Sequence, residues 1–199
     1  MPFFYSKSKD FLLYTNFKVM YSTLRKQDSL KRLKGILLWM YRGKKTYVLG
    51  RDPYSRLESF YRDKLNKDLG IDKKLVRSQK IFLPHVGLNR WSKKKDVVEK
   101  LGAIDFPDFI ELLPKVYMKN RHLHPQVKIF QGIESPVKLR IEDKESMETL
   151  QSTFGIDTTL RVNKTNREQF ILEWTPEMYR IVNDLYKDDF EFFGYGMKN

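Results

Sequence analysis

Arg51, Arg56 and Ser59 stand in the run Arg51-Asp52-Pro53-Tyr54-Ser55-Arg56-Leu57-Glu58-Ser59-Phe60-Tyr61-Arg62-Asp63-Lys64. Just before it, Thr46-Tyr47-Val48-Leu49 is β-branched and apolar and reads as a buried strand. Pro53 suits the first turn of a helix, where its missing N–H removes no bond. The run therefore places cations and a hydroxyl where a strand ends and a helix begins. Such junctions bind phosphate, because N–H groups and the helix dipole face the ligand. The Arg51 guanidinium can grip a phosphate with two bonds, and Ser59, two turns along the helix, can add a hydroxyl. The same pattern also fits an ordinary amphipathic helix with solvated arginines, and spacing alone leaves both readings open.

The elements that must position these residues follow from apolar pattern and turn chemistry. Phe11 to Tyr14, Thr46 to Leu49 and Val137 to Ile141 read as strands. Thr23 to Leu33 reads as a helix, Gly35 to Tyr41 as an apolar run ending in a turn, and Pro53 to Leu65 as a helix. Phe106 to Tyr117 looks helical despite Pro114. Thr175-Pro176-Glu177 marks a helix start, with Thr as cap and Pro at the first position, and that helix is expected to reach about Lys187. Strands alternating with helices predict an α/β fold in which the segments near Leu12, Val48 and Leu139 are neighbouring parallel strands. Lys18 and Arg51 then fall at their C-terminal ends.

The bulk of the chain sets bounds on function. Its 199 residues fit one domain, with a Lys-rich insertion at about 66–100. There is no cysteine, so disulfides and thiolate zinc sites are excluded. The 38 Lys and Arg against 25 Asp and Glu give +13, which favours an anionic partner: nucleic acid, an anionic glycan, a nucleotide or an acidic membrane surface. No stretch approaches the roughly 18 apolar residues of a membrane span. The expected location is the cytoplasm, or a soluble catalytic domain of a longer protein.

The sequence also resembles a family. Strand-Arg-Asp-Pro-x-x-Arg-Leu-x-Ser-x-Tyr-Arg-Asp-Lys is similar to the 3′-phosphate-binding element of the carbohydrate sulfotransferases, the Golgi-type family and its bacterial relatives. The resemblance runs from about Phe11 to Tyr195. It implies a P-loop NTPase-like α/β sulfotransferase fold, a central parallel sheet flanked by helices. It also implies use of 3′-phosphoadenosine 5′-phosphosulfate (PAPS) and release of adenosine 3′,5′-bisphosphate (PAP). Arg51 and Ser59 then hold the 3′-phosphate, and Arg56 takes the second, structural arginine position. The family's upstream Pro-Lys-x-Gly-x-Thr element, which binds the 5′-phosphosulfate, corresponds to Phe17-Lys18-Val19-Met20-Tyr21-Ser22-Thr23. Lys18, Ser22 and Thr23 match it. Phe17 replaces proline and Met20 replaces a small residue, so Met20 and Tyr21 must point away from the ligand. The lysine neutralises charge on the bridging oxygen, and the hydroxyls cradle the 5′-phosphate.

A further match is Arg121-His122-Leu123-His124-Pro125-Gln126, similar to the family's His-Trp-x-Pro-Gln stretch. The resemblance makes His122 the base that removes the acceptor proton, with Glu58 and His124 as rivals. The alternative is that the two histidines only orient the loop. Two histidines at i, i+2 without a third ligand do not make a metal site. Leu139 to Asp143 resembles the family's strand before an acidic turn, Arg161 to Arg167 a polar segment near the nucleotide, and Tyr186 to Tyr195 its C-terminal Tyr-x-x-Asp-Phe-x-x-Phe-Gly-Tyr pattern.

The implied reaction moves a sulfuryl group from PAPS to a hydroxyl of a carbohydrate-type acceptor. The lysines of 66–96, with Trp91, are a candidate surface for an anionic or sugar acceptor, or else a solvated basic loop. A basic nucleic-acid-binding protein and an inactive glycan-binding relative are the rival readings. Aromatics among cations, as in Trp39-Met40-Tyr41-Arg42, suit the first rival, but no nucleic-acid-binding motif is visible. A nucleotide kinase is disfavoured because Gly-x-x-x-x-Gly-Lys-[Ser/Thr] is absent.

Overall fold

The structure, a computed structural model, describes residues 3–6, 10–33, 40–41, 43–65, 77–158 and 172–199. The chain divides into two units. The first takes Met1–Asp52, Pro125–Lys164 and Asp188–Tyr195, and the second takes Pro53–His124, Thr165–Lys187 and Gly196–Asn199.

In the first unit, β1 (Phe3–Ser6), β2 (Phe11–Tyr14), β3 (Leu30–Leu33), β4 (Lys45–Gly50) and β5 (Val137–Arg140) form a five-stranded sheet in the order β3-β1-β2-β4-β5. β2, β4 and β5 run parallel, with Leu13 opposite Tyr47 and Leu49 opposite Leu139. The expected parallel neighbours near Leu12, Val48 and Leu139 are thus present. β1 lies antiparallel to β2 and β3, which makes the whole sheet mixed.

Both faces are covered at β2 and at Tyr47–Leu49 of β4, which is why these stretches read as unbroken apolar runs. Phe11, Leu13, Tyr47 and Leu49 point to one face and pack with Leu150 and Phe154 of α7 (Lys144–Phe154). Leu12, Tyr14 and Val48 point to the other. They meet Phe130 of α6 (Val127–Phe130) and Phe193, at the end of α8 (Pro176–Phe193). Gly50 closes β4 because no side chain fits there: a Cβ would stand 2.4 Å from the Phe193 ring.

One expected helix is absent. Only α1 (Tyr21–Leu24) is helical in the 23–33 stretch, and Leu30–Leu33 is a strand. Leu30 and Leu33 are three apart, a spacing that suits one face of a helix. On the strand they face opposite sides, Leu30 into one core cluster and Leu33 into the other. Pairing with β1 overrides the local pattern. Most of the Gly35–Tyr41 run and the whole polar segment Arg161–Arg167 lie outside the described residues.

In the second unit, α2 (Pro53–Lys64) starts at its proline as expected and buries Tyr54, Arg56, Leu57 and Phe60. α3 (Arg77–Lys80), a 3₁₀ turn at Leu83–Val86 and α4 (Lys94–Gly102) occupy the described part of the Lys-rich stretch. α5 (Phe106–Val116) is capped by Asp105, whose carboxylate accepts from Asp108 N at 2.8 Å. Its Phe109 stacks on Phe60 of α2, with centroids 5.7 Å apart. α8 starts where Thr175 Oγ1 accepts from Met178 N at 3.3 Å, and it continues past Lys187 to Phe193. Non-helical backbone at Tyr186 (φ −119°, ψ 19°) interrupts it.

Candidate active site

Parallel pairing of β2, β4 and β5 sends the residues after Tyr14, Gly50 and Arg140 to one edge of the sheet. The loop after β2 is tightly built. Thr15 Oγ1 donates to the Val19 carbonyl at 2.6 Å, Val19 N to the Asn16 carbonyl at 3.2 Å, and Phe17 N to Asn16 Oδ1 at 2.7 Å. Two non-glycine residues here take left-handed backbone, Lys18 (φ 68°) and Met20 (φ 52°). Such residues cost about 1–3 kcal/mol each and persist only where the surroundings hold them. The surroundings include the core: Met20 and Tyr21 pack against the cluster of Phe4, Phe11 and Leu13. The Phe17 ring meets Tyr21 edge-on at 5.6 Å. Met20 thus occupies the backbone conformation that suits glycine, with its half-buried side chain against the core.

Arg51 leaves the end of β4 and reaches this loop. Its Nη1 donates to the Lys18 carbonyl at 3.0 Å. Lys18 and Arg51 are therefore joined directly, and both are half-buried. Ser22 is exposed and Thr23 buried in the single turn of α1. From β5 comes Glu142. Its Oε1 lies 4.0 Å from Arg51 Nε and accepts from Asp52 N at 3.2 Å, and its Oε2 accepts from Tyr195 Oη at 2.8 Å. Burial pushes the Glu142 carboxyl up from the usual range, against the bonds from Tyr195 and Asp52 and the charge of Arg51. Burial and the Glu142 charge push the Tyr195 phenol up as well.

The donor set at this edge suits a phosphorylated anion. It comprises an ammonium (Lys18), a guanidinium (Arg51) and the exposed hydroxyl of Ser22, while the Thr23 hydroxyl is buried. Asn16 Nδ2 is fully buried and has no acceptor among the described residues, so an amide donor waits beside the same loop.

The remaining expected site residues belong to the second unit. Ser59 is half-buried on α2. His122 follows Asn120, whose Oδ1 accepts from His122 N at 3.0 Å, and its ring lies 6.2 Å from that of Phe60. The rival bases have local partners. Glu58 accepts from Arg62 Nη1 and from Trp174 Nε1, both at 2.9 Å, so each carboxylate oxygen is engaged. The His124 ring meets the Met118 carbonyl at 3.0 Å. Arg56 is buried. It donates from Nη2 to the His124 carbonyl at 2.8 Å and lies over the Tyr186 ring at 5.4 Å, which makes it a structural residue of this unit.

Two residues at the sheet edge carry no sequence signal of their role. Gln126, fully buried, accepts from Arg51 N at 3.0 Å and donates to the Arg51 carbonyl at 2.8 Å. Asp189, also fully buried, accepts from Gln126 N at 2.8 Å and Val127 N at 2.9 Å. Both sit inside stretches that resemble family patterns, yet only the folded chain brings them to Arg51.

The family model described as "Sulfotransferase family" matches residues 18–196. No curated protein and no solved structure matches the chain. Among the described residues, no helix is long and apolar enough to cross a membrane, and no group of three or more His, Asp or Glu could hold a metal ion.

Proposed function

The chain belongs to the sulfotransferase family, and from that premise we propose that it transfers the sulfuryl group of PAPS to a hydroxyl of a carbohydrate-type acceptor. The observation that supports this reading best is the bond from Arg51 Nη1 to the Lys18 carbonyl at 3.0 Å. It ties the two segments that resemble the family's nucleotide-binding elements to one another at the C-terminal edge of the parallel strands.

In this reading Lys18, Ser22 and Thr23 hold the 5′-phosphosulfate, and Arg51 and Ser59 hold the 3′-phosphate. PAPS supplies an activated sulfuryl group, with sulfur bonded to a phosphate oxygen that leaves as an anion. Lys18 neutralises the charge that grows on that oxygen, a kind of stabilisation worth about 10²–10³-fold. His122 takes the proton of the acceptor hydroxyl as its oxygen bonds to sulfur. Because the acceptor attacks opposite the leaving oxygen, Lys18 and His122 serve opposite sides of the reaction.

The 3′-phosphate separates this reading from general nucleotide binding. PAP should raise the melting temperature by mass action, and ATP, which lacks the 3′-phosphate, should do so much less. Arg51→Ala should remove most of the PAP effect while the variant stays folded. Equal shifts with PAP and ATP, or an unchanged PAP shift in folded Arg51→Ala, would refute the assignment.

A further inference from the structure

Arg51 sits where ordinary backbone pairing has run out. The β2–β4 ladder ends at Tyr14 and Val48, and the β4–β5 ladder at Gly50 and Arg140. The Gly50 carbonyl takes a last bond from Ile141 N at 3.1 Å. Two residues on, Pro53 opens α2. Between these limits side chains replace the missing strand. The Gln126 amide satisfies both the N–H and the C=O of Arg51, as a neighbouring strand would, and Glu142 takes the N–H of Asp52. Gln126 is held in turn: the Asp189 carboxylate binds the N–H groups of Gln126 and Val127, and Gln126 Nε2 lies 3.4 Å from Asp189 Oδ2.

Stability alone is a poor reason for this arrangement. Burying a carboxylate and an amide carries a desolvation penalty, and well-packed apolar groups often do as well or better. What a satisfied polar network adds is one defined geometry. Here the atoms it defines are the backbone of the residue whose guanidinium reaches the Lys18 loop.

We infer that Gln126, anchored by Asp189, is a positioning residue that fixes the root of Arg51 and thereby the protein's preference for a 3′-phosphorylated nucleotide. The inference rests on the proposed role of Arg51 in holding the 3′-phosphate. Gln126 need not touch the ligand and acts through Arg51.

The test is calorimetric titration of wild type, Gln126→Met, Asp189→Asn and Arg51→Ala with PAP and with 5′-AMP, which lacks the 3′-phosphate. Gln126→Met keeps length and bulk and removes both bonds to Arg51. It should weaken PAP binding by roughly tenfold and leave 5′-AMP binding within about twofold, so that the PAP-to-AMP preference collapses. Asp189→Asn keeps the shape but replaces one acceptor oxygen with a donor. It should lower the same preference by a smaller factor, and it decides the matter if Gln126→Met does not fold. A merely structural role would lower PAP and 5′-AMP affinity together, and that result, or an unchanged preference in a folded variant, overturns the inference alone. If wild type shows no preference for PAP, or Arg51→Ala keeps it, the nucleotide reading fails and this inference falls with it.

Discussion

Lys18 and Arg51 stand on different loops, 33 positions apart, yet a single bond from guanidinium to carbonyl joins them. This pairing was foreseeable, because both residues follow strands and both fall in family-like stretches. Gln126 and Asp189 were not legible as partners of Arg51. A buried amide and a buried carboxylate 63 positions apart leave no periodic trace in a single sequence. The roles proposed for Lys18 and His122 separate by measurement. Lys18→Ala should lower turnover by about 10²–10³-fold, because charge on the leaving oxygen is left unbalanced. His122→Ala should lower turnover by about 10²–10⁴-fold with PAP affinity nearly unchanged, since the base serves the acceptor. A fully active His122→Ala enzyme removes His122 from the mechanism. Glu142 carries a pH signature. Its folded pKa is raised by burial, so the folded state holds its proton more tightly than the unfolded state does. That contribution is fully present below the ordinary glutamate range and is lost as pH rises through the raised value. Glu142→Gln cannot lose it. In urea unfolding, the stability of the variant relative to wild type should therefore climb from about pH 4 upward and then level off. A flat difference over that range would mean that burial does not set the Glu142 proton affinity.

At the scale of elements, the strands that carry the site were readable because both faces of β2 and β4 are buried. The same reasoning failed for β3, where Leu30 and Leu33 imitate a helical face and only pairing with β1 decides the outcome. β1 (Phe3–Ser6) is a strand not expected from the sequence. α8 begins beside the expected Thr175 cap, but it continues past the expected end near Lys187, and its last turns bring Asp189 and Phe193 to the sheet. The end of β4 makes the dependence testable. Gly50 meets the ring of Phe193, whose own neighbours include Phe130 at 5.8 Å and Phe192 at 4.9 Å. With Phe193 only 5% exposed, the ring has little room to yield. Gly50→Ala should therefore destabilise the protein by about 1–3 kcal/mol through overpacking. Because the strain falls one residue before Arg51, PAP affinity should drop as well. Denaturant titration checks the first effect and calorimetry the second. A variant as stable as wild type would show that the ring does not fix the end of the strand.

Over the whole molecule, the charge of +13 acts beyond any single contact. A chain this basic will hold polyanions at low salt whatever its function, so simple retention on DNA or an anionic glycan says nothing about the site. The number of ionic contacts is more telling. A protein that neutralises six to ten phosphates of duplex DNA loses about 10³–10⁵ in affinity between about 50 and 200 mM salt, because each contact releases counterions. In the proposed reading, PAP at the sheet edge meets two cations, Lys18 and Arg51, which are half-buried and already joined through the Lys18 carbonyl. PAP is a small ion without the condensed counterion layer of DNA, so only ordinary screening acts on two half-buried contacts and the loss over that range should be far shallower. The exposed Lys93, Lys94 and Lys95 and the 80%-exposed Trp91 with Arg90 against its ring are not among the residues proposed to hold PAP and add to general polyanion binding. Saturating PAP should therefore leave DNA retention at low salt unchanged, and the PAP dissociation constant should show the shallow salt slope. If PAP affinity instead falls as steeply as that of DNA, or PAP displaces DNA stoichiometrically, the nucleotide is held by the general basic surface. The nucleic-acid-binding reading would then account for the charge better than sulfuryl transfer does.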